Sequence, residues 1–292
     1  MPSLSTFFTS LTLSGLAAAA CTRPFLQNIT KAYVAAQKAG DPTLLTTLAS
    51  GHPNLIYLEN NRLALLSTGA LSGPLNIDFT RSIHDPDECA TFTEIIAATD
   101  PHPHVIHTRM VFDSTTQKAS LIESIVTDQG DWLFNATGTL DLNAGETWEP
   151  IPEAERASRE GVQALGDAYF DRFGNESVVV PWAEPCYRLE GGLPARGEMK
   201  DGECVMVWPS TIIIPYRRYV VDVTMGAVSL FIGFPGLDRT QGQAPMPDSH
   251  LFRVEGGKMK YCHTASACVV DGCGLNGTTF GRRGLKPVLL RA

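Results

Sequence analysis

The chain has 292 residues, 43% of them hydrophobic and 18% charged, with 26 Gly and 19 Pro. This is ordinary globular composition, which excludes a disordered or collagen-like polymer. A formal net charge of -8 argues against a nucleic-acid partner and against binding to anionic membrane surfaces.

The first twenty residues run from an apolar stretch, Phe7 to Leu16, into Ala18-Ala19-Ala20. That pattern predicts a signal peptide over 1–20, cleaved before Cys21. No later stretch is long and apolar enough to span a bilayer. Seven cysteines and four Asn-x-Ser/Thr sequons, at Asn28, Asn135, Asn175 and Asn276, fit a chain that is secreted or held in the secretory lumen. Cys186 and Cys204 flank one irregular loop and are the expected disulfide. The odd cysteine count leaves one thiol free or intermolecular. The spacing Cys262-x5-Cys268-x4-Cys273 is not a zinc pattern, and no metal is expected.

Residues 21–148 and 157–270 repeat one order of signals, joined by a Pro-bearing linker over 149–156 and followed by a tail over 271–292. Each half opens with a helix at 3.6-residue apolar spacing, from Phe25 in the first and from Arg159 to Phe173 in the second. Asp41-Pro42 is expected to start a further helix through Leu48. A short Tyr/Glu turn follows in each half, Tyr57 to Asn61 and Tyr187 to Gly192. Alternating strands come last: Val105–Phe112, Ser120–Val126 and Trp132–Thr137, then Tyr216–Val223, Val228–Phe234, Leu251–Glu255 and Lys258–Thr264. Gly130, Gly226 and Gly256-Gly257 mark hairpins between them. The fold class read from this order is α+β, helices packed on antiparallel sheets.

Three strings carry a resemblance: Gly130-Asp-Trp-Leu-Phe134, Arg188-Leu-Glu-Gly-Gly192, and Asp248-Ser-His-Leu-Phe-Arg-Val-Glu-Gly-Gly257 followed by Tyr261-Cys-His-Thr264. They resemble a family of secreted fungal proteins of unknown function. The layout resembles the ketosteroid-isomerase-like, or SnoaL-like, cone fold in tandem. That resemblance implies two cone-like α+β barrels, each a bent sheet wrapped on a helix around an apolar pocket. It also implies cofactor-free isomerisation, cyclisation, dehydration or hydrolysis, or simple ligand binding.

Strand alternation then selects candidate residues. With Gly256-Gly257 as a two-residue turn, His250 faces His263 and Phe252 faces Tyr261, on one aromatic face with Val254 and Met259. His250 and His263 are expected general acid/base groups and Tyr261 a donor to a developing oxyanion, with Asp248 placed to orient His250. The alternative is a cross-strand histidine pair bonded to backbone near solvent. Asp222 is expected on an apolar face with Val220 and Phe231, either as a base or as the ion-pair partner of Arg218. Arg218 could instead contact substrate. Glu123 is expected alone among Ile125, Trp132 and Phe134, either as a satisfied core carboxylate or as an acid with raised pKa. Phe252 and Trp132 are expected to wall the substrate. His107 and Arg109 share a face, while His102 and His104 lie in an exposed Pro-rich turn.

No Gly-rich phosphate loop, nucleophile elbow or dinucleotide fingerprint occurs, so no cofactor is expected. The function expected is a cofactor-independent cyclase or isomerase acting on a small apolar polyketide- or terpenoid-like intermediate. Joining of anhydride monomers into maleidrides is one such reaction. The alternatives are a secreted ligand-binding or host-interaction glycoprotein without turnover, and a secreted hydrolase on the same fold.

Overall fold

The computed structural model describes residues 21–45, 55–197, 199–200, 203–204, 208–235, 244–269 and 273. The signal-peptide segment, Asn276 and all of the tail but Cys273 lie outside the described residues. The described residues form three α-helices and two six-stranded sheets.

Helix α1 (Arg23–Ala39) is capped by Thr22, whose side chain accepts from the Phe25 N–H, and ends at Gly40 in the left-handed region. Leu26, Ile29, Tyr33 and Ala36 are its buried face, one stripe at helical spacing. A 3-10 turn follows over Pro42–Leu45; the rest of the expected second helix is outside the described residues.

The first sheet contains β1 (Ile56–Glu59), β2 (Arg62–Leu63), β3 (Phe79–Asp85), β4 (Ala90–Ala97), β5 (His104–Phe112) and β6 (Ala119–Thr127), in the order β2-β1-β6-β5-β4-β3. The stretch Trp132–Thr137, expected as a strand, is a turn leading into helix α2 (Ala136–Asn143). The reason is Asn135, whose side-chain oxygen accepts from the Gly138 N–H and caps the helix.

Helix α3 (Arg159–Asp171) is capped by Ser158 and buries Val162, Gly166, Tyr169 and Phe170. A Cβ at Gly166 would sit 2.7 Å from the Leu230 side chain, so glycine sets how closely α3 lies on its sheet. That second sheet contains β7 (Trp182–Glu190), β8 (Leu193–Gly197), β11 (Arg218–Asp222), β12 (Ala227–Phe234), β13 (Met246–Glu255) and β14 (Lys258–Ser266). Its order is β11-β12-β13-β14-β7-β8. A separate ribbon pairs β9 (Met199–Lys200) with β10 (Glu203–Cys204).

The two sheets have one topology. In each, a hairpin (β1–β2, β7–β8) precedes a four-strand meander, and the first strand lies parallel to the last. The segments read as Tyr/Glu turns are therefore strands. Only their ends turn, at Asn60-Asn61 and Gly191-Gly192, all four with positive φ. Neither sheet closes into a barrel: β2 and β3 are the edges of the first, β11 and β8 of the second.

Helices α1 and α3 each cover the outer face of their own sheet, while the inner faces pack on each other and α2 lies against β4, β5 and β8. The contact is apolar at its centre, where Ile83, Phe92, Ile96 and Ile125 meet Val220, Phe231 and Leu251. The Phe92 and Phe231 rings cross edge-on at 6.2 Å.

Cysteine pairs join Cys21 to Cys89, Cys186 to Cys204 and Cys268 to Cys273, leaving Cys262 as a buried free thiol. Among the described residues no helix is long and apolar enough to cross a membrane.

Candidate functional site

The last hairpin pairs Glu255 with Lys258 and Val254 with Met259, as its turn dictates. A β-bulge then intervenes between Arg253 and Val254, so that Arg253 pairs with Tyr261, Leu251 with His263 and His250 with Thr264. The extra residue reverses every later side chain relative to its partner strand. His250 therefore faces α3, while Tyr261 and His263 face the first sheet. The single aromatic face expected to hold all three is two faces.

On the outer face, His250 is packed among rings. Phe170 lies 4.8 Å away, Tyr169 5.2 Å and Phe252 5.6 Å. Its Nδ1 has no hydrogen-bond partner. The Asp248 carboxylate is 3.4 Å from that nitrogen, near enough for attraction but not aligned to accept. Asp248 is fixed in turn by the Ser266 hydroxyl, which donates at 2.8 Å. Phe252 thus stands beside His250 as expected, in the core of the second half.

The neighbouring groups are also polar and buried. The Tyr169 hydroxyl accepts from Arg188 Nε at 3.0 Å, and Arg188 is paired with Glu190. Glu190 accepts from the Trp132 indole at 2.8 Å. Trp132 therefore crosses from the first half into the core of the second, anchoring the halves. Burial pushes the Tyr169 phenol above its ordinary value and raises the Cys262 thiol to about 12. The indole nitrogens of Trp182 and Trp208, whose sequence gave no pointer to this place, have no partner either.

The same positions in the first half are fully satisfied. Register places Thr108 where the second half has His250, Ser124 where it has Thr264, and Glu59 where it has Glu190. The Tyr33 hydroxyl bonds Thr108 at 2.7 Å, and Thr108 bonds Ser124 at 2.8 Å. No imidazole stands there.

On the inner face, His263 is enclosed by carboxylates. Its Nε2 is 2.8 Å from Glu146 and its Nδ1 3.1 Å from Glu94. Arg81 reaches Glu94 at 3.0 Å and Glu146 at 3.5 Å, and lies over the Trp148 ring at 4.2 Å. His107 is 3.4 Å from Glu94 through Nε2 and 3.2 Å from the Ser249 hydroxyl through Nδ1. Burial alone would depress His263, but Glu146 and Glu94 outweigh it and raise its pKa to about 9. For Glu94 burial works upward, but His263, His107 and Arg81 hold it well below the usual carboxylate range. His107 goes the other way, lowered by burial against the pull of Glu94. Near neutral pH, His263 and Arg81 are thus cations, Glu94 an anion, and His107 a neutral donor. This set is a closed charge network between the halves, and its members are already bonded to one another.

The remaining expected residues are also bonded within that interface. Asp222 shares a face with Val220 and Phe231 as expected, but pairs with Ala227 in register. It is bound to Arg23 and not to Arg218. Glu123 is not alone: Arg109 donates to it at 2.6 Å and Arg218 at 2.8 Å. Arg218 is thereby committed to a protein carboxylate. Among the sequons, Asn28 and Asn175 are exposed, and Asn135 is the half-buried cap of α2. Glu94, Arg81, Glu146 and Tyr169 had no motif to mark them. Among the described residues no group of His, Cys, Asp or Glu is placed to hold a metal ion.

Fold and site together define a two-sheet α+β chain with its one under-satisfied imidazole, among the described buried histidines, in the second half. Residues 155–266, which span α3 and all of the second sheet, match a family model described as a domain of unknown function, DUF8021. No curated protein matches the chain.

Proposed function

We propose that the chain is two SnoaL-like units in tandem and that the second is a cofactor-independent acid–base catalyst, a cyclase or isomerase of a small, largely apolar molecule. The support for the fold is the shared topology of helix, hairpin and meander with the first strand parallel to the last. The observation that carries the function is His250: a buried imidazole with an unpartnered nitrogen, beside Asp248, where the first half has a fully bonded threonine. A buried polar atom left unpaired costs about 1–3 kcal/mol, a cost that structure alone does not require at this position. His250 is the base, Asp248 orients it as the complex tightens, and Tyr169, Phe170 and Phe252 exclude water. Export through the secretory pathway accords with the three disulfides.

The test is isomerisation of 3-cyclohexenone to its conjugated isomer, followed by ultraviolet absorbance, with larger β,γ-unsaturated ketones as further probes. Asp248→Asn should lower the rate on any ketone turned over by 10-fold or more. Ligand binding without turnover by the intact chain would select the non-catalytic reading. Ester or epoxide opening would select the hydrolase.

A further inference from the structure

A cleft of about 410 Å3 lies between the end of α2 and strands β7 and β14, on the sheet face opposite His250. Its walls include Asp141, Leu142, Glu146, Tyr187, Lys260 and Tyr261. The Tyr187 ring is 38% exposed and stands 6.0 Å from Tyr261. Tyr261 is stacked on Trp148 from behind, also at 6.0 Å, so the aromatic wall is rigid. It presents apolar ring faces with polar tips.

The charges bordering this cleft are mostly spent. Glu146 is bonded to His263 and to the Trp148 indole, which donates at 2.7 Å. Lys260 donates to Glu255 at 2.7 Å. An ionic ligand would have to compete with these pairs. Hydrogen-bonding capacity is not spent. Lys260 keeps further N–H donors, Asp141 is exposed on α2, and the Tyr261 hydroxyl, beside Lys260, has long contacts of 3.4 and 3.5 Å to Thr147. A flat apolar platform edged by donors and acceptors, without uncompensated cationic charge, suits an uncharged ligand that carries many hydroxyls around a ring. The volume is in the small-ligand range.

We propose that this cleft binds an uncharged saccharide of one or two rings, its ring face against Tyr187 and its hydroxyls on Asp141, Lys260 and Tyr261. The site is separate from His250 and stands whether or not that residue is catalytic. It is tested by saturation-transfer difference NMR on the intact chain with cellobiose, maltose and N,N′-diacetylchitobiose. At least one should receive saturation at its ring protons. Tyr187→Ala should weaken binding 10-fold or more, Tyr187→Phe should retain it, and His250→Ala should leave it within 2-fold. Tyr187 is a surface residue, so a melting curve on the same samples confirms that the variants are folded. The proposal is overturned if none of the three sugars is saturated, or if a folded Tyr187→Ala binds as well as the parent. It is equally overturned if the flat anion 4-hydroxybenzoate binds this cleft more tightly than any of the sugars.

Discussion

Asp85 and Asp222 hold corresponding places at the ends of β3 and β11 and exchange partners across the interface. The Asp222 carboxylate accepts the His84 N–H at 2.9 Å and pairs with Arg23 of α1. The Asp85 carboxylate accepts the Val221 N–H at 2.9 Å and pairs with Arg159 of α3 at 2.6 Å. Each half thus supplies a carboxylate to the other's strand and to the other's leading helix. Both aspartates are fully buried, and removing one partner of such a pair typically costs 3–5 kcal/mol. Asp85→Ala and Asp222→Ala should each lower the unfolding free energy, read from the shift of the urea midpoint, by an amount of that order. A loss of activity by Asp222→Ala with an unchanged midpoint would return Asp222 to the list of reacting groups.

The His263 network predicts a pH dependence. Its pKa is about 9 in the folded chain and about 6.5 in an unfolded one. The unfolded chain therefore releases this proton first as pH rises. The stabilisation is complete below pH 6.5 and fades toward pH 9, with roughly 3 kcal/mol at stake. Glu94, held low, loses its contribution only in acid. His84, depressed to about 4, and His107 act with opposite sign and only below pH 6.5, where unfolding takes up the protons they refuse. Urea unfolding between pH 6.5 and 8.5 should show stability falling as pH rises, and His263→Gln should flatten that slope. An equal slope in both proteins would contradict the network.

Thiol accounting gives a third expectation. Six of the seven cysteines are paired and Cys262 is buried. The native chain should show no thiol reactive to Ellman's reagent, and one in denaturant without reductant. The Cys21–Cys89 link closes a loop across 68 residues, so the Cys21→Ser, Cys89→Ser double variant should lose about 3–4 kcal/mol. Three reactive thiols in denaturant would contradict the pairing.

Asn135 serves α2 as its cap, and Gly192 packs against its backbone so tightly that an added Cβ would lie 2.0 Å from the Asn135 carbonyl oxygen. Asn135→Ala should cost about 1 kcal/mol, measured by thermal melting. Peptide mass spectrometry should find glycans at the exposed Asn28 and Asn175 and an unmodified Asn135. A fully occupied Asn135 with unchanged stability would contradict the capping role.

The parts legible in the sequence were those with a local signal. Helices α1 and α3 and the meander strands with glycine turns follow from spacing, and the Cys186–Cys204 pair from the irregular loop that the two cysteines flank. Strand β4 was not legible, because Ala90 to Ala97 is buried on both faces and shows no alternation. β1 is hidden by the tight turn at its end, which dominates a four-residue stretch, while in the nine-residue β7 Pro185 and the turn at Gly191-Gly192 mask the strand pattern. The bulge at Arg253 has no composition signature, yet it moves His263 and Tyr261 to the other face. Asp222 is held by Arg23 and Glu123 in part by Arg218, each from the opposite half, and strand-face reasoning within one hairpin could not supply these two. The other partner of Glu123, Arg109, stands directly across the β5–β6 hairpin. His250 beside Asp248 and Phe252 was legible, since those three lie on one strand on the same side of the bulge.

The most direct measurement replaces His250 by the residue that the first half has at that position. His250→Thr should fold, with a melting temperature within a few degrees of the parent, and should lose 100-fold or more of the ketone isomerisation rate. A folded His250→Thr protein with undiminished turnover would contradict the assignment of acid–base chemistry to the second half's interior.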